Sequence, residues 1–174
     1  GAVPWHQDSG YFNPHCDGDL IVTCWIPLVD TDADNGCLRV LPRAHRSGVV
    51  RHYAGGEGGY LEIVEDDLPN RLAPVTVPVP AGGVLFMTNL TPHRSTQHTK
   101  DIIRWAIDVR YQSATVPNNA DELPEDFDAS RPVHEIACYP PEADFVIRSP
   151  EAPDREVTSW EAFHALRQRY EHTR

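Results

Sequence analysis

The sequence predicts an all-β domain, either a sandwich or a double-stranded barrel, that ends in one helix. Sixteen prolines and eleven glycines divide the 174 residues into short apolar runs, as is typical of strands joined by many turns. Helical periodicity is clear only near the end. Because 40% of the residues are hydrophobic and 24% are charged, we expect an ordinary globular fold. The length suits a single domain over residues 1–174, with a core at 1–112, a loop-rich extension at 113–157 and a terminal helix at 158–171.

The first strong strand signal is LIVTCWIPLV at 20–29, which is apolar at nearly every position. Such a run predicts a central strand that is covered on both faces. The turn TDADNG at 31–36 leads into CLRVLP at 37–42, and the two runs predict a hairpin. Further strands are predicted at 60–64, 75–79, 84–87 and 102–111.

The last predicted strand, IIRWAIDVRY at 102–111, has an apolar face and a polar face. Periodicity alone favours the interpretation that the polar face is solvated. After it, Thr158 and Glu161 predict a capping box that starts the terminal helix. The helix should present one apolar face, formed by Trp160, Phe163, Leu166 and Tyr170.

Charge and composition exclude several classes of partner. A formal charge of -11 repels phosphate backbones and anionic lipid surfaces, so neither nucleic acid nor a membrane is an expected partner. No apolar run approaches the roughly 20 residues that span a bilayer. The four cysteines form no CxxC pair, and two of them lie in apolar runs, which predicts buried free thiols in a reducing, cytoplasmic compartment.

Two side chains able to bind a metal, His6 and Asp8, stand one residue apart in WHQD. On a strand, residues i and i+2 point to the same side, so both side chains can face one cavity. Hydrogen-bonded turn residues would give the same short pattern. A third ligand is offered by His93, which closes GGVLFMTNLTPH and precedes Arg104 by eleven residues. Two histidines and one carboxylate form the facial triad of non-haem Fe(II) oxygenases.

Four segments resemble the phytanoyl-CoA dioxygenase family of iron(II)- and 2-oxoglutarate-dependent oxygenases. They are WHQD, NGCLRVLPRAHRSG, GGVLFMTNLTPHRS and RWAIDVRYQ, in this order over residues 4–112. The resemblance implies a double-stranded β-helix, the jelly-roll or cupin-like fold. It also implies that His6, Asp8 and His93 bind Fe(II), and that Arg104 binds the far carboxylate of 2-oxoglutarate. A planar guanidinium grips a carboxylate with two hydrogen bonds, which suits arginine to this role.

The resemblance extends to the reaction and to the last strand. Related halogenases carry a small residue in place of Asp8, so its carboxylate implies hydroxylation of a small organic molecule or acyl derivative, with release of succinate and CO2. Ser95 resembles a position whose hydroxyl supports 2-oxoglutarate, although a solvated turn serine fits nearly as well. In the family's barrel, the polar side of the strand at 102–111 faces the cavity, against the interpretation from periodicity.

Other polar and aromatic residues carry weaker expectations. His45 matches a family histidine that we take as structural or as bordering the site. His15 and Cys16 either line a substrate pocket or lie in an exposed loop. Trp5 and Tyr11 flank the ligands and either shape the cavity wall or pack in the core. The acidic run DELPEDFD at 121–128 predicts a solvated face or a lid segment.

The sequence departs from the family before the HxD pair. Family members carry helices and a first barrel strand there, whereas this sequence has five residues. We expect apolar surface to be exposed as a result, or to be covered by association, so a homo-oligomer is a hypothesis. Two alternatives stay open beside the dioxygenase: a non-catalytic cupin-like metal-binding protein, and an inactive truncated oxygenase. A zinc hydrolase is a more distant one, because Zn2+ accepts the same ligands.

Overall fold

A computed structural model describes residues 2–12, 17–54, 60–69, 73–114 and 145–168. This part of the chain is rich in strands and has few helices. The strands are β1 (Val22–Pro27), β2 (Leu38–Val40), β3 (Tyr53–Ala54), β4 (Leu61–Glu62), β5 (Val75–Val77), β6 (Leu85–Thr88), β7 (His93–Ser95) and β8 (Ala106–Tyr111). Among the described residues, one α-helix, α1, spans Trp160–Gln168. Short 3-10 helices lie at Asp8–Tyr11, Ala44–Ser47, Glu65–Asp67 and Pro153–Arg155.

The first sheet has the order β6-β1-β8, and both pairings are antiparallel. The central position predicted for residues 20–29 is therefore confirmed. Alternation along β1 turns Thr23 and Trp25 to the inner face, and these two residues are buried.

The outer face of this sheet differs from the prediction that both faces of β1 would be covered. Phe86 and Ile107, which flank the central strand on that side, are 66% and 46% exposed. The same face continues to Trp105 and Tyr111, which are also exposed. The expected exposure of apolar surface is thus present, and it is concentrated on one sheet.

The second sheet has the order β5-β2-β7, again antiparallel throughout. The hairpin predicted between 20–29 and 37–42 is wrong, because β1 and β2 belong to different sheets. The turn between them carries the chain across from one sheet to the other. It is tied at Thr31 to Val79 by a bridge, and Asn35 is buried within it. A two-stranded sheet, β3-β4, completes the strands, and β3 and β7 were not predicted.

A hydrophobic cluster joins the two larger sheets. Trp25 and Met87 from the first sheet pack with Leu38 from the second and with Val79. A second cluster, beside the chain's early residues, contains Trp5, Leu41, Ala44 and Ile63. Cys24 and Cys37 are buried free thiols, as predicted. Cys16 and Cys138 lie outside the described residues.

Helix α1 begins at Trp160, two residues later than predicted. Its N-terminal cap is Ser159, whose Oγ accepts a hydrogen bond from the backbone N–H of Ala162, so the predicted capping box of Thr158 and Glu161 is wrong. Phe163 contacts Phe145 edge to face, while Trp160 is largely exposed. The side chains of Leu166 and Tyr170 and the predicted end near 171 lie outside the described residues.

In the described part of the chain, none of the helices has the length and hydropathy that crossing a membrane requires.

Candidate metal centre

Backbone pairing brings His6 and His93 together although they are far apart in sequence. The two residues form an antiparallel bridge in which each backbone N–H donates to the other's carbonyl, at 3.0 and 2.9 Å. His93 lies on its own short strand, β7, rather than at the end of a turn. Asp8 is not on a strand, as the i, i+2 argument assumed, but opens the 3-10 helix Asp8–Tyr11. The three side chains nevertheless face one another.

The three predicted ligands form one buried cluster. One ligand atom from each of His6, Asp8 and His93 lies within 4.8 Å of the others, and all three residues are buried. The imidazole centroids are 4.2 Å apart, and His93 Nε2 is 4.0 Å from Asp8 Oδ1. The three residues are therefore close enough together to hold one metal ion.

Backbone carbonyls fix which nitrogen of each histidine faces the cluster. Nδ1–H of His6 donates to the carbonyl of Pro4, and Nδ1–H of His93 donates to the carbonyl of Thr91, both at 2.9 Å. Nε2 of each ring is left with its lone pair toward the cluster. Such a second hydrogen bond is the usual way in which proteins orient histidine ligands.

The protonation states suit metal binding. Burial, with a further contribution from His93, lowers the pKa of His6 to about 4, and burial also lowers the pKa of His93. Burial alone would raise the pKa of Asp8, but the hydrogen bond and charge of Arg110 outweigh it and hold that pKa below its usual value. At neutral pH the cluster therefore contains two neutral imidazoles and one carboxylate, which is the donor set of a facial triad.

Two residues that the sequence did not reveal contact Asp8. Thr23 Oγ1 donates to Asp8 Oδ2, and Arg110 Nη2 donates to Asp8 Oδ1 at 2.8 Å. Both come from the inner face of the first sheet, so the polar side of β8 faces the cluster, as the family resemblance implied. Ile107 and Tyr111, on the opposite side of β8, are exposed. Alternation revealed the two faces but carried no information about which one points inward.

The residue between two of the ligands, Gln7, is fully buried and anchors them to two loops. Its Nε2 donates to the carbonyls of Gly48 and Leu90, at 2.9 and 2.7 Å, and its Oε1 accepts from the Val50 N–H at 2.7 Å. Its backbone N–H donates to His52 Nε2 at 2.9 Å.

His52 needs a glycine opposite it, because a Cβ at Gly10 would lie 2.6 Å from its ring. Gln7 and His52 were not singled out from the sequence. A short-range motif gives no sign of partners that lie more than forty residues away.

Arg104 lies just before β8, not within it, since that strand begins at Ala106. Its guanidinium lies over the ring of Trp25, 5.4 Å from the ring centroid. Its Nε lies beside Gly36, 3.1 Å from where a Cβ would stand if that residue were not glycine. Burial lowers the pKa of Arg104. Among the residues that the structure describes, none forms a hydrogen bond or an ion pair with this half-buried cation.

Ser95 is buried on β7, two residues from His93, so the reading as a solvated turn serine is wrong. Its Oγ accepts a hydrogen bond from the Val3 N–H at 2.7 Å. The next residue, Thr96, donates its N–H to the carbonyl of Cys37, beside Gly36 and the Arg104 side chain. Ser95 therefore lies along β7 between His93 and the segment that neighbours the Arg104 side chain.

Of the remaining predicted residues, one contacts a clustered histidine and the other described ones lie elsewhere. Tyr11 contacts the His6 ring edge to face at 5.8 Å, whereas Trp5 is part of the core cluster. His45 is in the 3-10 helix Ala44–Ser47 and is not one of the clustered ligands. His15, Cys16 and the acidic run at 121–128 lie outside the described residues.

Curated proteins and solved structures similar to this chain match about two thirds of it. Human peroxisomal phytanoyl-CoA dioxygenase is 34% identical over 114 residues, which cover 64% of this chain and 33% of that protein. The chain thus spans about a third of the length of such relatives.

Two solved structures share the fold. EvdO2 from Micromonospora carbonacea var. aurantiaca, complexed with 2-oxoglutarate, has a TM-score of 0.52 and 24% identity, over 67% of this chain and 49% of that one. The epimerase SnoN, in complex with Fe3+, alpha ketoglutarate and nogalamycin RO, has a TM-score of 0.50 and 24% identity, over 66% of this chain and 43% of that one.

A family model decides the classification. The model described as phytanoyl-CoA dioxygenase (PhyH) matches residues 1–106, which is more than half of the chain and includes all three clustered ligands and Arg104. The protein therefore belongs to the phytanoyl-CoA dioxygenase (PhyH) family.

Proposed function

We propose that the protein is an Fe(II)- and 2-oxoglutarate-dependent dioxygenase that hydroxylates a small organic molecule or acyl derivative and releases succinate and CO2. One observation carries this proposal: two neutral imidazoles and one carboxylate converge at a buried point. Family membership supports it independently.

His6, Asp8 and His93 are the residues that would hold the iron. They would supply three protein ligands, two imidazoles and one carboxylate, as in other Fe(II) sites that also take a 2-oxo acid and O2. Bound Fe(II) would supply O2 activation coupled to oxidative decarboxylation of the 2-oxo acid. The protein's own contribution is to fix the two Nε2 atoms through the Pro4 and Thr91 carbonyls and to keep the ligands away from bulk water.

Arg104 would bind the far carboxylate of 2-oxoglutarate. A half-buried guanidinium without an anionic partner is costly, and a ligand carboxylate would neutralise it with paired hydrogen bonds. Ser95 would assist, because in the described residues its Oγ only accepts a bond and its own proton stays available for donation. The presence of 2-oxoglutarate in EvdO2 and of alpha ketoglutarate in SnoN supports this assignment.

The same proposal includes a finer account of the fold. The two three-stranded sheets, joined by one hydrophobic cluster, would be the opposing sheets of a double-stranded β-helix, with the metal ligands at its open end. Residues 1–174 would form a single oxygenase domain.

The decisive experiment is an anaerobic titration with Fe(II) and then with 2-oxoglutarate, monitored for the visible charge-transfer band of a chelated 2-oxo acid. We expect the band in the wild type, its loss together with metal binding in His93→Ala, and its retention in the control His45→Ala. In Arg104→Ala, metal binding should persist while the 2-oxoglutarate concentration needed for the band rises strongly.

Other outcomes would favour the alternatives. Tight metal binding without the band would identify a cupin-like metal-binding protein, and the proposal would fail. A folded chain that binds neither metal nor 2-oxoglutarate would be an inactive oxygenase fragment.

A further inference from the structure

The Asp8 carboxylate is held on both oxygens by two residues that face each other across a strand pair. Thr23 on β1 and Arg110 on β8 are direct register partners. The threonine hydroxyl donates to Oδ2, and the guanidinium donates to Oδ1 at 2.8 Å. Thr23 is 0% and Asp8 1% exposed, so the threonine contact and the carboxylate itself are shielded from solvent.

We propose that Thr23 and Arg110 are positioning residues that aim the Asp8 carboxylate at the metal; this inference rests on the proposed metal centre. A carboxylate rotates broadly about its last side-chain torsion, so Asp8, at the start of a 3-10 helix, needs contacts from elsewhere to fix its orientation. With Oδ1 and Oδ2 bound by different strands, the carboxylate plane is fixed. The orientation keeps Oδ1 4.0 Å from His93 Nε2, on the side where the ligands converge.

Arg110 is itself held in place. Its Nη2 is also 3.3 Å from Asp108 Oδ2, and its guanidinium carbon lies 5.9 Å from the centre of the Phe12 ring. Asp108 and Arg110 are two residues apart on β8 and both point to its inner face, so the strand backbone sets the distance between them. The first sheet thus acts as a rigid support for a ligand that lies on a different part of the chain.

A purely structural role would leave a different signature. If the contacts served only to satisfy a buried carboxylate, their loss would lower stability and leave the metal affinity of the folded protein unchanged. When a residue that orients a metal ligand is removed, the metal affinity typically falls by about 10-fold to 100-fold. Metal affinity therefore separates the two roles.

The test measures Co(II) affinity, as an air-stable probe of the site, by absorption titration of the full chain. Thr23→Val removes the hydroxyl without changing charge or size, and we expect it to weaken Co(II) binding by at least about 10-fold. Thr23→Ser keeps the hydroxyl and should restore the affinity. Thr31→Val is the matched control, because Thr31 is also buried but its hydroxyl donates to the carbonyl of Val79, away from the site.

Arg110→Lys provides a second, independent variant. It keeps the positive charge but replaces the planar guanidinium, whose Nη2 contacts both Asp8 and Asp108, with a shorter and more flexible ammonium side chain, so it should also weaken Co(II) binding. If Thr23→Val and Arg110→Lys bind Co(II) as tightly as the wild type, the positioning role is overturned while the metal centre stands. If the wild type does not bind Co(II), the metal centre fails and the inference with it. Should one variant not fold, the other decides.

Discussion

The strongest stability prediction concerns Gln7, which is buried between two of the ligands. We consider Gln7→Met, which preserves side-chain length and removes the amide. The substitution deletes three side-chain hydrogen bonds, those to the Gly48 and Leu90 carbonyls and the one from the Val50 N–H. At about 1 kcal/mol for each bond, the free energy of unfolding should fall by about 3 kcal/mol. This is a large share of the roughly 5–15 kcal/mol that stabilises a typical domain.

The measurement is urea unfolding followed by tryptophan fluorescence, with a chelator present so that metal binding does not contribute to stability. The control is Gln97→Met, at an exposed glutamine, which should be nearly neutral. Co(II) affinity in native buffer provides a second readout. It should fall in Gln7→Met because Gly48, Val50 and Leu90 then no longer fix the segment that carries His6 and Asp8.

The reasoning would be refuted by a destabilisation of less than about 1 kcal/mol, or by equal effects of Gln7→Met and Gln97→Met. The first result would mean that the loops retain their positions without the amide. The second would mean that the change in stability does not come from the buried hydrogen bonds of Gln7.

Three further predictions follow from burial, backbone geometry and surface. The pKa of His6 falls from 6.5 to about 4 on folding, so between these values the unfolded chain binds a proton that the folded chain does not. With a chelator present, the protein should keep its full stability above about pH 6.5 and lose about 3 kcal/mol as the pH falls toward 4. The pH dependence of the urea unfolding midpoint should be weaker in His6→Asn. Gly36 and Gly48 both have positive φ, so alanine at either position should lower the free energy of unfolding by about 1–2 kcal/mol. Only Gly36→Ala, whose Cβ would meet the Arg104 side chain, should also raise the Kd for 2-oxoglutarate in a metal-loaded binding titration. Trp105 lies on the exposed apolar face of the first sheet, so light scattering of the wild type should show concentration-dependent association. Trp105→Ser should reduce this association, whereas Trp160→Ser, on the helix, should not. A wild type that stays monomeric at high concentration would contradict this prediction.

Local patterns identified the strands that are long or strongly apolar. The central strand was visible because its residues are apolar on both faces, and β8 was visible as an alternation. Its partners were not visible, since pairing joins residues far apart in sequence. The hairpin prediction failed for this reason: a polar turn after β1 is compatible with a return to the same sheet or with a crossing to the other one. β7, with three residues, is too short for any periodicity.

The grouping of His6, Asp8 and His93 was predictable because their chemistry is carried by residue type and order, and the structure brings them into one cluster. The residues that hold those ligands were not predictable. Thr23 reads as one more β-branched strand residue, and Arg110 reads as part of a solvated face. Their contacts to Asp8 depend on the inward turn of that face, which the alternation of β8 does not specify.

The reciprocal backbone bridge between His6 and His93 separates the frame of the site from its chemistry. The two hydrogen bonds use main-chain groups that every residue except proline possesses, so they do not depend on imidazole. A different side chain at either position would be presented at the same place and in the same direction. The pair is therefore a natural starting point for redesign, in which the ligands are exchanged to accept another metal while the surrounding strands stay as they are.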